Sequence, residues 1–460
     1  MSILASFIVP HPPLIIPNIG KGSEKQVSKT ISAYKEIAKQ IATLNPETII
    51  ISSPHAPMYS DYFYISSSKT LTGNLANFGT PEISFTEEVD TKLVDEISSL
   101  AQKYHFPTSK EIPSVPLDHG TMIPLYFIRE ELPKCLIIVI GLSTLPLITN
   151  YQMGTIIKEA VNNLNRNVVY IASGDLSHKL QEYGPYGFAT EGPIYDKKIM
   201  DICRTSNFYE LLTFKSSFLE KAAECGHRSF TIMAGCFDGQ EIESQELSHE
   251  DITGVGYGIC SFYPKKTNPS RQFLKKYLKE ESLRLEKIRK KSDFYVNLAY
   301  QSLEYYFKYN SKMSVPDNIP SEMLSNKSGV FVSLYKYDTL RGCIGTISPT
   351  TKCIAEEIIN NALSAAFNDY RFSPLTEEEL KWLEITVYIL KEPEPISSLD
   401  MLDVHKYGVI VYNDTKRGLL LPDLDGIDTI DQQISIALQK AHINPKEDYK
   451  LQRFEVIKHY

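Results

Sequence analysis

The chain has 460 residues, of which 42% are hydrophobic and 23% charged, with a formal net charge of −8. That length exceeds the roughly 250–300 residues one core supports, so two domains are expected, and the acidic balance excludes a binder that works by neutralising nucleic-acid phosphates. Seven cysteines without a C-x-x-C pair exclude complete intrachain pairing, and the longest apolar stretch, Cys135 to Leu142, falls well short of the roughly 20 residues of a membrane-spanning helix.

Reduced thiols, no basic-then-apolar leader and no spanning segment together predict a cytoplasmic protein that binds neither membrane nor nucleic acid. In chain order, Ala5 to Val9 reads as a strand that leads to His11. Ser23 is placed to cap a helix with apolar positions Val27, Ile31, Ile37, Ile41 and Leu44. Thr48 to Ser53 is the next strand and leads to His55. After Thr86, Val89, Leu93, Ile97 and Leu100 repeat the helical spacing, and Leu117-Asp118-His119-Gly120 sets a histidine between a carboxylate and a glycine. Cys135 to Ile140 predicts a buried strand ended by Gly141, and Val168 to Ala172 one that leads to Asp175 and His178.

Alternating strand and helix signals mark an α/β fold, a sheet covered by helices. Ligands bind beyond the carboxyl ends of such strands, so three strands that end near histidines predict a metal crevice. His11 and His55 share a Pro-His-x-Pro setting, in which prolines stop the strand and stiffen the backbone that carries the imidazole. Two histidines and one carboxylate on one face of an iron leave positions open for substrate and dioxygen. Asp175 with His178 has the form of an acid/base pair, and His119 is a second acid/base group or a substrate contact.

Between Lys265 and Lys291, eleven Lys or Arg face three Glu, and this basic, helical connector marks the domain boundary. Beyond it, Val330, Val332 and Leu334, and Ile385, Val387 and Ile389, alternate as strands, while helices are predicted over Asp293 to Phe307, Cys353 to Phe367 and Thr429 to Lys440. Thr376 with Glu379 has capping-box spacing. These signals predict a smaller α+β domain. Within Leu340-Arg341-Gly342-Cys343-Ile344-Gly345-Thr346, Arg341 offers a fork for a carboxylate or phosphate and Cys343 a nucleophile or ligand. The plainer alternative is a glycine-rich turn entering a buried strand, with Cys343 as a small hydrophobe.

On its histidine segments, residues 1–264 resemble the class III extradiol dioxygenases of the LigB type and the related Memo proteins. His11, His55 and His178 match, in order, the family's two metal-binding histidines and its Asp-Leu-x-His catalytic histidine. The family's third ligand is a Glu, replaced by Cys in some Memo proteins; here Glu224 and Cys225 stand side by side in Ala223-Glu224-Cys225-Gly226-His227-Arg228-Ser229. A carboxylate implies Fe(II), and a thiolate favours zinc or copper. The resemblance further implies a catechol-type substrate and dioxygen, with His178 as base and later acid, Asp175 orienting it, and His119 stabilising an oxygen-derived anion.

From about residue 275 to 460 the chain resembles the AMMECR family, on Leu340 to Thr346, Ala365-Ala366-Phe367 and Asp369 to Leu375. That family brings no established chemistry. The fusion resembles the AmmeMemoRadiSam group and so implies a radical-SAM partner, an enzyme this chain cannot itself be, since it lacks the C-x-x-x-C-x-x-C motif. The expected organisation is 1–264, a linker over 265–291 and a second domain over 275–460, with self-association left open. Three functions follow: a ring-cleaving dioxygenase, a non-catalytic metal- or peptide-binding scaffold of the Memo type, and a metal-dependent hydrolase.

Overall fold

The computed structural model describes residues 3–109, 115–424 and 426–460. Two compact units divide the chain, Met1–Tyr277 and Leu278–Tyr460. Among the described residues no helix is long and apolar enough to cross a membrane.

Unit 1 is built on a six-stranded mixed sheet. Its strands are β1 (Ile3–Val9), β2 (Thr48–Ser53), β3 (Leu136–Gly141), β4 (Val168–Ser173), β5 (Gln240–Glu250) and β6 (Tyr257–Thr267), in the spatial order β3-β2-β4-β1-β6-β5. β3, β2, β4 and β1 run parallel, and β6 and β5 close one edge antiparallel. Every residue of β2 and β4 is buried, as expected of parallel strands covered on both faces, which is why they read as continuous apolar runs. The covering helices include α1 (Ser28–Leu44), α2 (Thr91–Lys103), α3 (His119–Glu131), α4 (Leu147–Asn163), α5 (Glu191–Thr205) and α6 (His227–Cys236).

Two boundaries differ from the sequence reading. Ser23 opens a short 3-10 turn, and α1 starts only at Ser28. Thr86 lies in the strand Thr80–Glu88, and α2 is capped by Asp90, whose carboxylate accepts the Leu93 N–H. Asp is among the strongest N-cap residues, and it sits where the helical periodicity begins to be used.

The basic stretch is helical from Phe273, as α7 (Phe273–Lys291), followed by α8 (Phe294–Tyr309). Unit 2 holds two four-stranded sheets. The first runs β8 (Thr339–Gly345), β7 (Val330–Lys336), β9 (Leu383–Leu390), β13 (Val456–His459), all antiparallel, so that β8 is an edge. The helix α9 (Ile354–Phe367) and α8 bury their apolar faces with this sheet in one core. The second sheet contains β10 (Gly408–Tyr412), β11 (Arg417–Leu420) and β12 (Lys450–Phe454), and shares a core with α10 (Ile430–Ala441). Tyr388 and Leu390 of the first sheet pack with Ile410, Leu419 and Phe454 of the second.

Candidate metal centre

β2, β4 and β1 are neighbours and parallel, so their carboxyl ends share one edge of the sheet. His11 follows β1 and is buried; its backbone N–H donates to Asp175 Oδ1 at 2.8 Å. Its Nδ1 lies 2.9 Å from Ser173 Oγ, and that hydroxyl donates its single proton to the Gly120 carbonyl at 2.6 Å. His11 Nδ1 is therefore the donor, and the lone pair sits on Nε2. That atom lies 3.0 Å from His55 Nε2 and 3.8 Å from Cys225 Sγ. The ligand atoms of His11, His55 and His119 lie within 4.8 Å of one another, as do those of His11, Asp175 and Cys225.

Local contacts hold each group in place. Asp118 caps α3, accepting from the Thr121 N–H at 3.1 Å and hydroxyl at 2.8 Å, and it also accepts from Ser53 Oγ at 2.6 Å. Ser53 in turn accepts the His55 N–H at 3.2 Å, so one carboxylate ties down both the His55 turn and the helix that begins at His119. On the other side, a Cβ on Gly174 would lie 2.1 Å from Gly226 Cα. A side chain at position 174 would hold these backbones apart, and their approach allows the Asp175 N–H to donate to Cys225 Sγ at 3.2 Å.

Burial, then the charges of His55 and His119, hold His11 well below the ordinary imidazole range. Burial lowers His55 as well, and burial followed by His55 takes His119 to about 4. All three imidazoles are neutral at pH 7, the form that binds metals. Burial pushes Asp175 up, and burial followed by Asp175 pushes the Cys225 thiol up. A cation at this point would relieve both. Two imidazole nitrogens 3.0 Å apart, one of them fixed as a lone-pair donor, fit ligands of a single ion held at about 2.0–2.1 Å.

Residues 5–260 match the family described as the catalytic LigB subunit of aromatic ring-opening dioxygenase. The chain belongs to the LigB family. Residues 296–459 match AMMECR1, so a LigB domain is followed by an AMMECR1 domain. Protein CA_C1420 of Clostridium acetobutylicum is 38% identical over 469 residues, covering 100% of this chain and 99% of its own. A Thermotoga maritima protein is 43% identical over 164 residues, 35% of this chain and 94% of that one. A solved structure of an uncharacterized Pyrococcus horikoshii protein, 31% identical with a TM-score of 0.35, covers 36% of this chain and 89% of its own.

Three of the expected site residues have hydrogen-bond partners in the structure. The Glu224 carboxylate of the LigB unit accepts the His227 N–H at 2.6 Å at the start of α6, burial pushes it up to about 7, and it belongs to neither group of gathered ligand atoms among the described residues. Of the two adjacent candidates, Cys225 is the one gathered with His11. Asp175 orients His11 through its backbone, and no hydrogen bond joins it to His178 among the described residues. In unit 2, Arg341 is a closed fork, since Nε and Nη2 both donate to Glu379 at 2.9 Å.

His178 lies near enough to the LigB site for its charge to bear on His11 and His55. Its Nδ1 is buried without a hydrogen-bond partner, and Tyr186 stands edge-on to its ring at 5.1 Å. Sequence reasoning missed Ser53, Ser173, the Gly174–Gly226 contact and Tyr186. The serines left a faint signal, since β2 and β4 both end in Ser just before a site segment.

Proposed function

We propose that the LigB unit is a metal-dependent dioxygenase-type enzyme acting on a catechol-class aromatic, its ion held by His11, His55 and Cys225. The observation that carries this reading is the fixed tautomer of His11, whose Nε2 lone pair meets His55 Nε2 at 3.0 Å. The ion, with Fe(II) proposed ahead of zinc or copper, would supply Lewis acidity and a meeting point for the diol and dioxygen. The chain's own residues handle protons and shape. His178, with one ring nitrogen unclaimed, takes a proton from the substrate hydroxyl and returns it later. Neutral His119, packed between His55 and Phe78, donates toward developing negative charge. Tyr186 forms an aromatic wall beside His178.

The thiol of Cys225 in place of the Glu224 carboxylate favours a second reading, a Memo-type protein that binds a softer metal without turnover. Anaerobic titration with Fe(II), Zn(II) and Cu(I), followed by oxygen uptake with a panel of catechols, separates the two. The enzyme reading expects about one ion per chain, its loss in H11A and H55A, and a ring-cleavage product. A bound ion without oxygen uptake supports the second reading, and unchanged metal content in both variants sinks the site.

A further inference from the structure

The ring of His178 makes no hydrogen bond among the described residues, and its Nδ1 is buried. The imidazole therefore takes its position from the backbone that carries it. The N–H of His178 makes only a long contact, 3.3 Å to the Ala223 carbonyl. Ser177, the residue before, is buried and engaged at every polar atom. Its C=O accepts the Gly256 N–H at 2.8 Å, while its Oγ donates to the Ala222 carbonyl at 2.7 Å and accepts the Lys179 N–H at 3.0 Å. Those three partners are main-chain groups. The fourth is a side chain: the Ser177 N–H donates to Asp196 Oδ1 at 2.8 Å.

Asp196 stands in the second turn of α5, too far along the helix to cap it, and it is buried. A buried carboxylate is costly unless it is paired. Its second oxygen meets His249 Nε2, from β5, at 3.1 Å. That hydrogen bond is the main cause that raises His249, with Asp251 and Glu246 acting in the same sense, and Glu246 is itself paired with Arg204 at 2.7 Å. Burial pushes the Asp196 carboxyl up, against the pull of His249 and the Ser177 N–H. Space for the carboxylate comes from Gly256, where a Cβ would lie 2.0 Å from Asp196 Oδ2. The residue that holds the Ser177 carbonyl thus also admits the group that holds the Ser177 N–H.

We propose that Asp196 is the positioning residue of His178: it accepts the Ser177 amide from α5, with His249 as its charged partner, and so sets the backbone that carries an imidazole without a hydrogen bond of its own. Its bearing on catalysis rests on the acid/base role proposed above for His178. Without the carboxylate the Ser177 N–H loses its acceptor, the turn that carries His178 opens part of the time, and Nδ1 meets solvent.

Carbethoxylation of the full-length protein by diethyl pyrocarbonate, followed at His178 by peptide mass spectrometry, reads this without turnover. D196L keeps most of the bulk and removes the acceptor, so the His178 rate is expected to rise roughly fivefold. D196N still accepts the Ser177 N–H and is expected to keep the wild-type rate. H249L, at a partly exposed position, leaves the carboxylate without its charged partner; it is expected to give a smaller rise, about twofold, and carries the test if D196L does not fold. His227 is the control, because its Nδ1 lies 3.3 Å from the hydroxyl of Tyr195 on the same helix, and a displaced α5 would uncover it too. Faster modification of His178 with His227 still protected supports the proposal. An unchanged His178 rate in D196L and H249L, a D196N as fast as D196L, or a joint rise at His178 and His227 overturns it. Oxygen uptake by the wild type is scored separately: silence with every catechol removes the acid/base role, while the modification rates still decide what positions His178.

Discussion

Ser173 shows how much of a metal site lies outside its ligands. The hydroxyl bridges His11 Nδ1 and the Gly120 carbonyl, and its single proton decides which nitrogen of His11 carries the lone pair. S173A leaves the imidazole in place but free to change tautomer, so metal affinity is expected to fall about 10–100-fold while the fold loses only about 1 kcal/mol. Competition with a chelator of known affinity measures it, and an unchanged dissociation constant would remove the role assigned to Ser173. Cys225 and Glu224 give the sharper contrast. C225S is expected to weaken soft-metal binding, whereas E224Q keeps it, because the Glu224 carboxylate serves the amide of His227. His11 and His55 were legible in the sequence because prolines flank them. Ser173 was not, because its partner lies 162 residues away and a lone serine has no pattern to betray it.

At the scale of elements, Thr376 and Glu379 form the capping box their spacing predicts, but on a 3-10 helix, Glu377–Trp382. The same Glu379 pairs with Arg341 on β8 and with Lys336 on β7, and so fastens the helix to two strands. Burial alone would raise this carboxyl, yet hydrogen bonds from Arg341 and the charges of Lys336 and Arg341 outweigh it and hold it at about 2. A carboxylate depressed in the folded state gives stability that is complete above its unfolded value near 4.5 and is lost as pH falls from there toward 2. The contribution is about 3–4 kcal/mol, at roughly 1.4 kcal/mol per pH unit over that interval. Denaturation of the wild type and E379Q between pH 7 and pH 2.5 should give curves that converge in acid; a constant gap would show that Glu379 acts by packing alone. Helices of this unit were legible because their apolar periodicity is uninterrupted: α9 starts one residue after Cys353 and ends at Phe367, as read. The start of α1 was not, because Ser23 and Ser28 are both plausible caps and only the intervening 3-10 turn separates them.

For the whole molecule, the strand order is the feature that no local pattern encodes. Each of β1, β2 and β4 announces itself as an apolar run, but their adjacency, which brings His11, His55 and Asp175 to one edge, comes from pairings between strands more than a hundred residues apart. Every donor of the resulting site belongs to unit 1, Met1–Tyr277. An ion that binds the native site and not the unfolded chain stabilises the part of the molecule that contains it, by about 2.7 kcal/mol at a free concentration of 100 times Kd. For a domain of this size that is a rise in Tm of roughly 5–10 °C. Calorimetry of the full chain is therefore expected to show a metal-dependent transition for unit 1, reversed by a chelator, while the midpoint of unit 2, followed through its single tryptophan, Trp382, stays where it is. If Trp382 fluorescence moves with the metal by the same amount, folding of unit 2 is energetically linked to the His11–His55 site and the two units melt as one.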